Sequence, residues 1–330
     1  MAIDLMKLEP HKISKDLTGY ITYIFGAPKV GKTSLAAQAP DCLLLACERG
    51  YNAIPGILAQ DITSWSDMRT VYRELKKSEV RDRFKVLIVD TIDLAAKYCT
   101  KYICSKNNIT DLGELGYGKG YALMRDEFED IFNSLTQLGY AVFFISHAQD
   151  AVFTRPDGTE YNKIIPSLSP AKVNAIIENM ADIYGYAHFK NQEERVITLR
   201  SDDDTISCGS RFKYMVNEVP LNYDALVKAI QDAIDLEEKN VGSEFITNEP
   251  IKPIENNLNF DEYMNTFKEL VSKLQEVTGP AFATNWAPRI AETIERYLGK
   301  GKKVTEMSRD QVEQLVLIVN DLTEQVGNGI

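Results

Sequence analysis

Apolar residues cluster in four blocks over the first half of the chain: residues 20–25 (YITYIF), 41–47 (DCLLLAC), 84–89 (FKVLIV) and 140–145 (YAVFFI). A strand that is apolar at successive positions, not at every second one, is buried on both faces. These blocks therefore predict a parallel sheet with helices on either side. The stretches between them carry helical spacing. Residues 64–77 read as an amphipathic helix with Ser64 as its N-cap and Asp67 as the acid three positions on. A second helix runs over about 92–106. A third covers 122–138, where Leu123, Phe128, Ile131, Phe132 and Leu135 fall on one face. With a helical run after Thr33, the order is β-α-β-α-β-α-β, and ligands of such sheets bind at the C-terminal ends of the strands. The apolar positions of residues 1–18 are expected to cover a sheet edge.

Residues 111–121 (DLGELGYGKGY) break the pattern: four glycines in so short a stretch predict a loop, mobile or ordered by a ligand. From Val152 onward the spacing changes again. Residues 152–155 and 161–165 flank Pro156, Asp157 and Gly158, which reads as a β-hairpin. Ser169 and Pro170 read as the cap and first-turn proline of a helix reaching about Met180. Strands at 183–189 and 196–200 are joined by a polar turn at 191–194, and the polar loop 201–204 leads to residues 207–212. A helix over 223–238 closes an α/β domain of residues 1–239. Residues 240–259, rich in Glu, Asn and Pro and without a period, read as a linker. Residues 260–330 then give a small helical module with patterns at 261–277, 281–298 and 308–325. Pro288 either breaks the second or marks its true start. Val312, Leu315, Val316, Val319 and Leu322 form an apolar stripe on the last.

Composition adds little that is specific. The 330 residues are 44% hydrophobic and 26% charged, as in an ordinary globular protein. A net charge of −11 argues against bulk electrostatic binding to nucleic acid or an anionic membrane, while leaving room for a local basic groove. Five cysteines without a C-x-x-C pair suggest reduced thiols and a cytoplasmic setting. No apolar run approaches the roughly 18 residues of a membrane span, so no membrane partner is expected.

The chemistry starts where the first apolar block ends. Gly26, Ala27, Pro28, Lys29, Val30, Gly31, Lys32 and Thr33 fit G-x-x-x-x-G-K-[ST], and Ser34 continues into a helix. A strand, a glycine loop and a helix start form a cradle for nucleotide phosphates. Lys32 reaches the β- and γ-phosphates, and the Thr33 hydroxyl ligates Mg²⁺. The plain alternative is a glycine turn with a surface lysine. Asp90 closes the third apolar block, the Walker B position, where a carboxylate holds the same Mg²⁺; an ordinary helix N-cap is the alternative. Asp93 reads as a first-turn helix acid. Glu48, after the second block, stands where a carboxylate orients the water that attacks the γ-phosphate. His147, after the fourth, is placed to sense that phosphate, or simply to cap the sheet end. Arg200 and Arg211 lie beyond the main sheet. Arg211, between Gly209 and Phe212, is the preferred arginine to reach a neighbouring subunit's nucleotide, although a solvated arginine is the simpler reading. Two segments place aromatics beside cations, a weak signal for single-stranded nucleic acid: Tyr117, Lys119 and Tyr121 in the glycine loop, and the hairpin with Phe153, Arg155, Tyr161 and Lys163.

In combination, the loop GAPKVGKT, Glu48 after the second strand, VDTID after the third and FFISHAQ after the fourth resemble the RecA-like ATPase core. With GYGKGY they look like phage-encoded RecA-core ATPases linked to single-strand annealing recombination. The resemblance covers about residues 13–217; its P-loop and Walker B motifs are shared by many NTPases, and the pairing of GYGKGY with ISH is more specific. It implies two DNA-binding loops flanking the fourth strand, at 111–121 and 149–168. It also implies a ring or filament of identical subunits with nucleotides at the interfaces, where a trans-acting Arg211 fits. The RecA sensor is a glutamine, and His147 departs from it. By analogy the helical module binds DNA or a single-strand-binding protein.

The leading expectation is therefore an α/β, RecA-like P-loop ATPase, Mg²⁺-dependent, that acts with single-stranded DNA in recombination, replication or annealing. The alternative is a nucleotide-gated adaptor that recruits a replication partner with little hydrolysis. A metabolite kinase is disfavoured by the lack of an arginine-rich lid. A partition ATPase is disfavoured by Ala27, where those enzymes carry a lysine.

Overall fold

In the computed structural model, which describes residues 6, 8–201, 205–253 and 259–327, the four apolar blocks are the inner strands of one sheet. The chain divides into two compact units, whose described residues run from 6 to 253 and from 259 to 327. The first contains, in order, β1 (Ile13–Ser14), β2 (Ile21–Gly26), α1 (Lys32–Ala36), β3 (Cys42–Ala46), β4 (Ala59–Asp61), α2 (Trp65–Leu75), α3 (Ser78–Arg83), β5 (Val86–Asp90), α4 (Ile92–Lys106) and α5 (Lys119–Thr136). It continues with β6 (Ala141–Thr154), β7 (Glu160–Pro166), α6 (Ala171–Met180), β8 (Ile183–Phe189), β9 (Arg195–Thr198), β10 (Gly209–Ser210), β11 (Glu218–Pro220), α7 (Tyr223–Val241) and β12 (Ile246–Thr247).

The sheet order is β11-β9-β8-β2-β6-β5-β3-β4. From β8 to β4 every neighbouring pair is parallel, and β9 and β11 continue antiparallel beyond β8. Side chains alternate between two cores, which is why the strands read as apolar throughout. Tyr23, Leu45, Leu87, Val89, Val142 and Phe144 pack under α2, α4, α5 and α6, with Trp65, Cys99, Phe128, Phe132 and Ile177. Ile24, Leu44, Val86, Ile88, Phe143 and Ile145 pack under α1 and α7, with Leu35, Leu226 and Ile230. The fourth block is inserted between β2 and β5 in register, so Gly26 pairs with His147 and Asp90 with Ile145. That insertion brings the ends of β2, β6 and β5 side by side.

Several expectations are corrected. Residues 240–259 are not a free linker throughout. The α7 helix extends to Val241, and Ile246 and Thr247 pair in parallel with Ile13 and Ser14. The Ser14 hydroxyl also donates to the Glu249 carbonyl at 2.6 Å. The lead-in thus finds its partner in this segment, as a separate two-stranded sheet, and not along the main sheet's edge. Ser169 does not cap α6. Pro170 is extended (φ −71°, ψ 160°) and is itself the N-cap, so the helix begins one residue too late for Ser169 to reach it. Ser64, by contrast, accepts from the Asp67 N–H as expected. Of the loop 201–204, residues 202–204 lie outside the described residues, as do 254–258 of the expected linker.

The glycine-rich stretch is built, not open. Residues 112–115 form a short 3₁₀ turn under a capping box, with the Gly113 N–H on Asp111 and the Asp111 N–H on Glu114. Gly116, Tyr117 and Gly118 all have positive φ. A Cβ on Gly120 would lie 2.1 Å from the Leu112 carbonyl oxygen. Glycine there lets α5 start against the turn, at Lys119, three residues before the sequence pattern places it.

The second unit holds α8 (Phe260–Thr278), α9 (Ala287–Leu298) and α10 (Val312–Gly327) around Leu274, Trp286, Ile290, Leu315, Ile318, Val319 and Leu322. Pro288 sits in the first turn of α9 and so marks a start, where a proline's missing N–H costs nothing.

Trp65 stacks on Phe128 at 5.9 Å, meets Phe132 edge-on at 6.0 Å and donates its indole N–H to Glu127. Trp65→Ala is expected to destabilise the first unit by about 3–5 kcal/mol in urea titrations.

Candidate functional site: a nucleotide crevice

The crevice is made by the residues at and just beyond the end of each inner strand. At the end of β2 the chain must pass close to β8: a Cβ on Gly26 would lie 2.2 Å from the Ala187 carbonyl oxygen. The loop then turns through Lys29 (φ 65°) and Gly31 (φ 112°) into α1. Lys32 is buried and its ammonium donates to the carbonyls of Gly26 and Ala27, each at 2.9 Å. Burial lowers its pKa, with the charges of Asp90 and Glu48 opposing. A cation held only by two carbonyls at the loop's mouth is free to exchange them for phosphate oxygens.

Thr33 donates its hydroxyl to the Asp90 carboxylate at 2.6 Å. Asp90 is 3% exposed, and its pKa is pushed up to about 6 by burial, against the Thr33 hydrogen bond. This pair fits a divalent cation: one hydroxyl and one carboxylate side by side, the carboxylate buried without a full counter-charge. Among the described residues no cluster of three or more His, Cys, Asp or Glu could enclose a metal by itself. A Mg²⁺ held by Thr33 and Asp90 would complete its shell from phosphate and water, as is usual for this ion, and would neutralise phosphate charge.

The backbone of Asp90 also places Glu48. Its carbonyl accepts from the N–H groups of Cys47 (2.7 Å) and Glu48 (3.3 Å), so the turn after β3 is sewn to the end of β5. Glu48 Oε2 lies 3.9 Å from His147 Nε2, and both side chains are about one-third exposed, at 37% and 33%. The P-loop, Glu48, Asp90 and His147 thus meet in one place, as their positions after the strands imply.

Other expectations land elsewhere. Arg211 pairs with Asp182 at 3.0 Å and donates to the Asn179 carbonyl. Asp182 in turn accepts from the Ile21 N–H. Ile21 opens β2 and Gly26 closes it, so Arg211 is bound at the far end of that strand, about 17 Å of extended chain from its own P-loop. Arg200 donates to the Lys213 carbonyl and does not enter the site. Asp93 is a first-turn acid of α4 as expected, but it is 9% exposed and accepts from Ser146 and Ser167. Arg195, which no motif singles out, reaches the P-loop from β9 and donates to the Val30 carbonyl at 3.3 Å.

Strand β6 runs without a break from the core through His147 into an arm where seven residue pairs join it to β7, from Ala148 with Pro166 to Thr154 with Glu160. Near its tip Phe153 and Tyr161 lie 5.9 Å apart, Arg155 sits over Tyr161 at 4.7 Å and Lys163 over Phe153 at 6.0 Å. Tyr117 is fully exposed and Tyr121 is 46% exposed. A groove of about 420 Å³, lined by Gly118, Tyr121, Ala122, Arg125 and the start of α6 at Pro170, Ala171, Lys172 and Val173, joins the glycine loop to the chain leaving the arm.

A P-loop at the end of a central strand, a buried acid on β5 and an intervening β6 carrying a polar terminus define a P-loop NTPase of RecA-like fold. The chain belongs to the AAA domain family, whose family model matches residues 18–212. It is 30% identical to the SPbeta prophage-derived uncharacterized protein YorG of Bacillus subtilis (strain 168), over 98% of this chain and 99% of that protein. Among solved structures, a KaiC-like protein of Pyrococcus horikoshii OT3 aligns with 64% of this chain and 94% of its own, at 16% identity and a TM-score of 0.35. No helix among the described residues is long and apolar enough to cross a membrane.

The raised pKa of Asp90 has a consequence for stability. Protonated Asp90 costs the fold little and ionised Asp90 costs it more, so this contribution is complete below about pH 4 and is lost as pH rises through about 6. Asp90→Asn removes the titration. Without nucleotide or metal the variant is expected to be more stable than the parent at pH 8, by up to about 3 kcal/mol, with the difference vanishing near pH 4. Urea titrations at the two pH values measure it.

Proposed function

We propose that the protein is a Mg²⁺-dependent ATPase that couples ATP hydrolysis to contact with single-stranded DNA. The observation that carries this reading is the continuity of β6: one strand takes its residue at the crevice, His147, directly into the aromatic and cationic arm. In this reading Lys32 and the loop amides bind the triphosphate, Thr33 and Asp90 hold Mg²⁺, and Glu48 orients the attacking water. His147, 3.9 Å from Glu48, registers the γ-phosphate. Tyr117, Lys119, Tyr121, Arg155 and Lys163 meet the DNA by stacking and phosphate pairing. Recombination, replication or annealing is the biological context in this reading, and the prophage relative supports the phage setting alone. The one-third exposure of Glu48 and His147 supports a crevice closed by a neighbouring copy, in a ring or filament. The helical module is the natural place for a further partner such as a single-strand-binding protein.

Turnover measured with single-stranded DNA, double-stranded DNA and no DNA tests the reading. Stimulation by single strands supports it. ATP binding without turnover in any of the three would leave a nucleotide-gated adaptor in its place. Glu48→Gln is expected to lower turnover by about 10²–10⁴-fold while ATP still binds; retained hydrolysis would remove Glu48 from its role. The arm and glycine loop offer few cations for their rings, so single-strand affinity should depend only mildly on salt. With three phosphate contacts, from Lys119, Arg155 and Lys163, log K against log[salt] should have a slope of about −2. A much steeper slope would place the DNA on another surface.

A further inference from the structure

We propose that Asp93 couples the nucleotide crevice to the β6–β7 arm, as a positioning residue that locks the arm's return onto β6 at Ser146 and His147. The inference rests on the nucleotide-binding reading above and adds to it the physical link.

Asp93 lies on the first turn of α4, three residues after Asp90, with its carboxylate turned inward. Its Oδ1 accepts from Ser146 Oγ at 3.1 Å and from Ser167 Oγ at 2.6 Å. Ser146 is fully buried and immediately precedes His147. Ser167 is where the chain returns from β7, and its backbone N–H donates to the His147 carbonyl at 2.9 Å. Ser167 therefore holds His147 through its main chain and the helix after Asp90 through its hydroxyl. One carboxylate ties together the segment just after the metal-binding acid, the strand that passes through the phosphate-facing histidine, and the base of the arm.

Packing alone does not account for a polar side chain here, because burying a polar group is costly unless it finds hydrogen-bond partners, and Asp93 finds them in these two serines. The junction also holds hydrogen-bonding capacity that this arrangement leaves unused. Asp93 Oδ2, Thr91 Oγ1 and His147 Nδ1 are all buried without a protein partner, and all three belong to the segments that Asp93 and its serines join. Spare donors and acceptors at a shared hinge allow a second bonding arrangement, the physical requirement for two sites to bias one element. A change at His147 on phosphate binding is then transmitted to Ser167, and from Ser167 to the whole paired arm.

Hydrogen exchange read by mass spectrometry, with and without a non-hydrolysable ATP analogue and Mg²⁺, tests this on the full chain. In the parent, peptides of the P-loop and of residues 148–166 should both change protection on nucleotide binding. In Asp93→Asn and Ser167→Ala the P-loop response should remain, which also shows that each variant is folded, while the arm's response is lost. Ser167→Thr, which restores a hydroxyl, should recover it. An arm that responds equally in the variants, or that fails to respond in the parent while the P-loop does, overturns the inference. A parent whose P-loop gains no protection overturns the nucleotide reading itself, and this inference with it.

Discussion

A carboxylate buried at the end of β5 and a hydroxyl in the first turn of α1 meet at 2.6 Å, and most of the crevice is arranged around that contact. Asp90 is too well buried to be solvated and too weakly paired to be neutralised, so its ionised form is held at a cost. Thr33 gives it one hydrogen bond, and the Lys32 charge lies near enough to favour its ionised form. The same residue's main-chain carbonyl anchors Cys47 and Glu48. The acid that fits a metal and the acid that fits a water-orienting role are therefore set relative to each other by a single residue. A divalent cation held by Thr33 and Asp90 would supply the positive charge that this arrangement lacks.

The second constraint is the insertion of β6. Had the fourth block added to an outer edge, His147 would lie away from the P-loop; paired with β2, it stands beside Gly26. The strand's own residues mark the transition. Ala141, Val142, Phe143, Phe144 and Ile145 are buried between the two cores, Ser146 is buried but polar, and from Gln149 the strand is largely exposed. A paired strand is stiff along its length, so the arm cannot be reoriented without disturbing the residues at its root. Those residues are the ones that border the crevice.

The four inner strands were legible because each is apolar on both faces. Tyr23 and Ile24, or Leu87 and Ile88, need different cores but the same chemistry, and that uniformity is itself the signal. Gly31, Lys32, Thr33 and Asp90 could be placed because their spacing reflects the chemistry of phosphate binding. Features that depend on partners remote in sequence could not be read. Ile246 and Thr247 look like linker until Ile13 and Ser14 are placed beside them. The 111–121 stretch looks flexible because its glycines are counted as freedom, whereas Gly120 is there for a close approach to Leu112. Arg211 looks available until Asp182 is found against it, and Arg195 carries no mark of its contact with Val30.

Asp90 and Asp93 show how much direction matters beyond spacing. Both stand at or just before the first turn of α4, where the helix dipole favours negative charge, and nothing in the residues themselves separates the two beyond their order. In the fold, one turns toward the P-loop and takes a hydroxyl from α1; the other turns toward the sheet and takes two hydroxyls from the strand end and the arm's return. Asp90 is the last residue of β5 and Asp93 stands in the first turn of α4, so the change from strand to helix between them lets the two carboxylates face different surfaces. A strand end and the helix that follows it can therefore face the P-loop with one carboxylate and the base of the arm with the next.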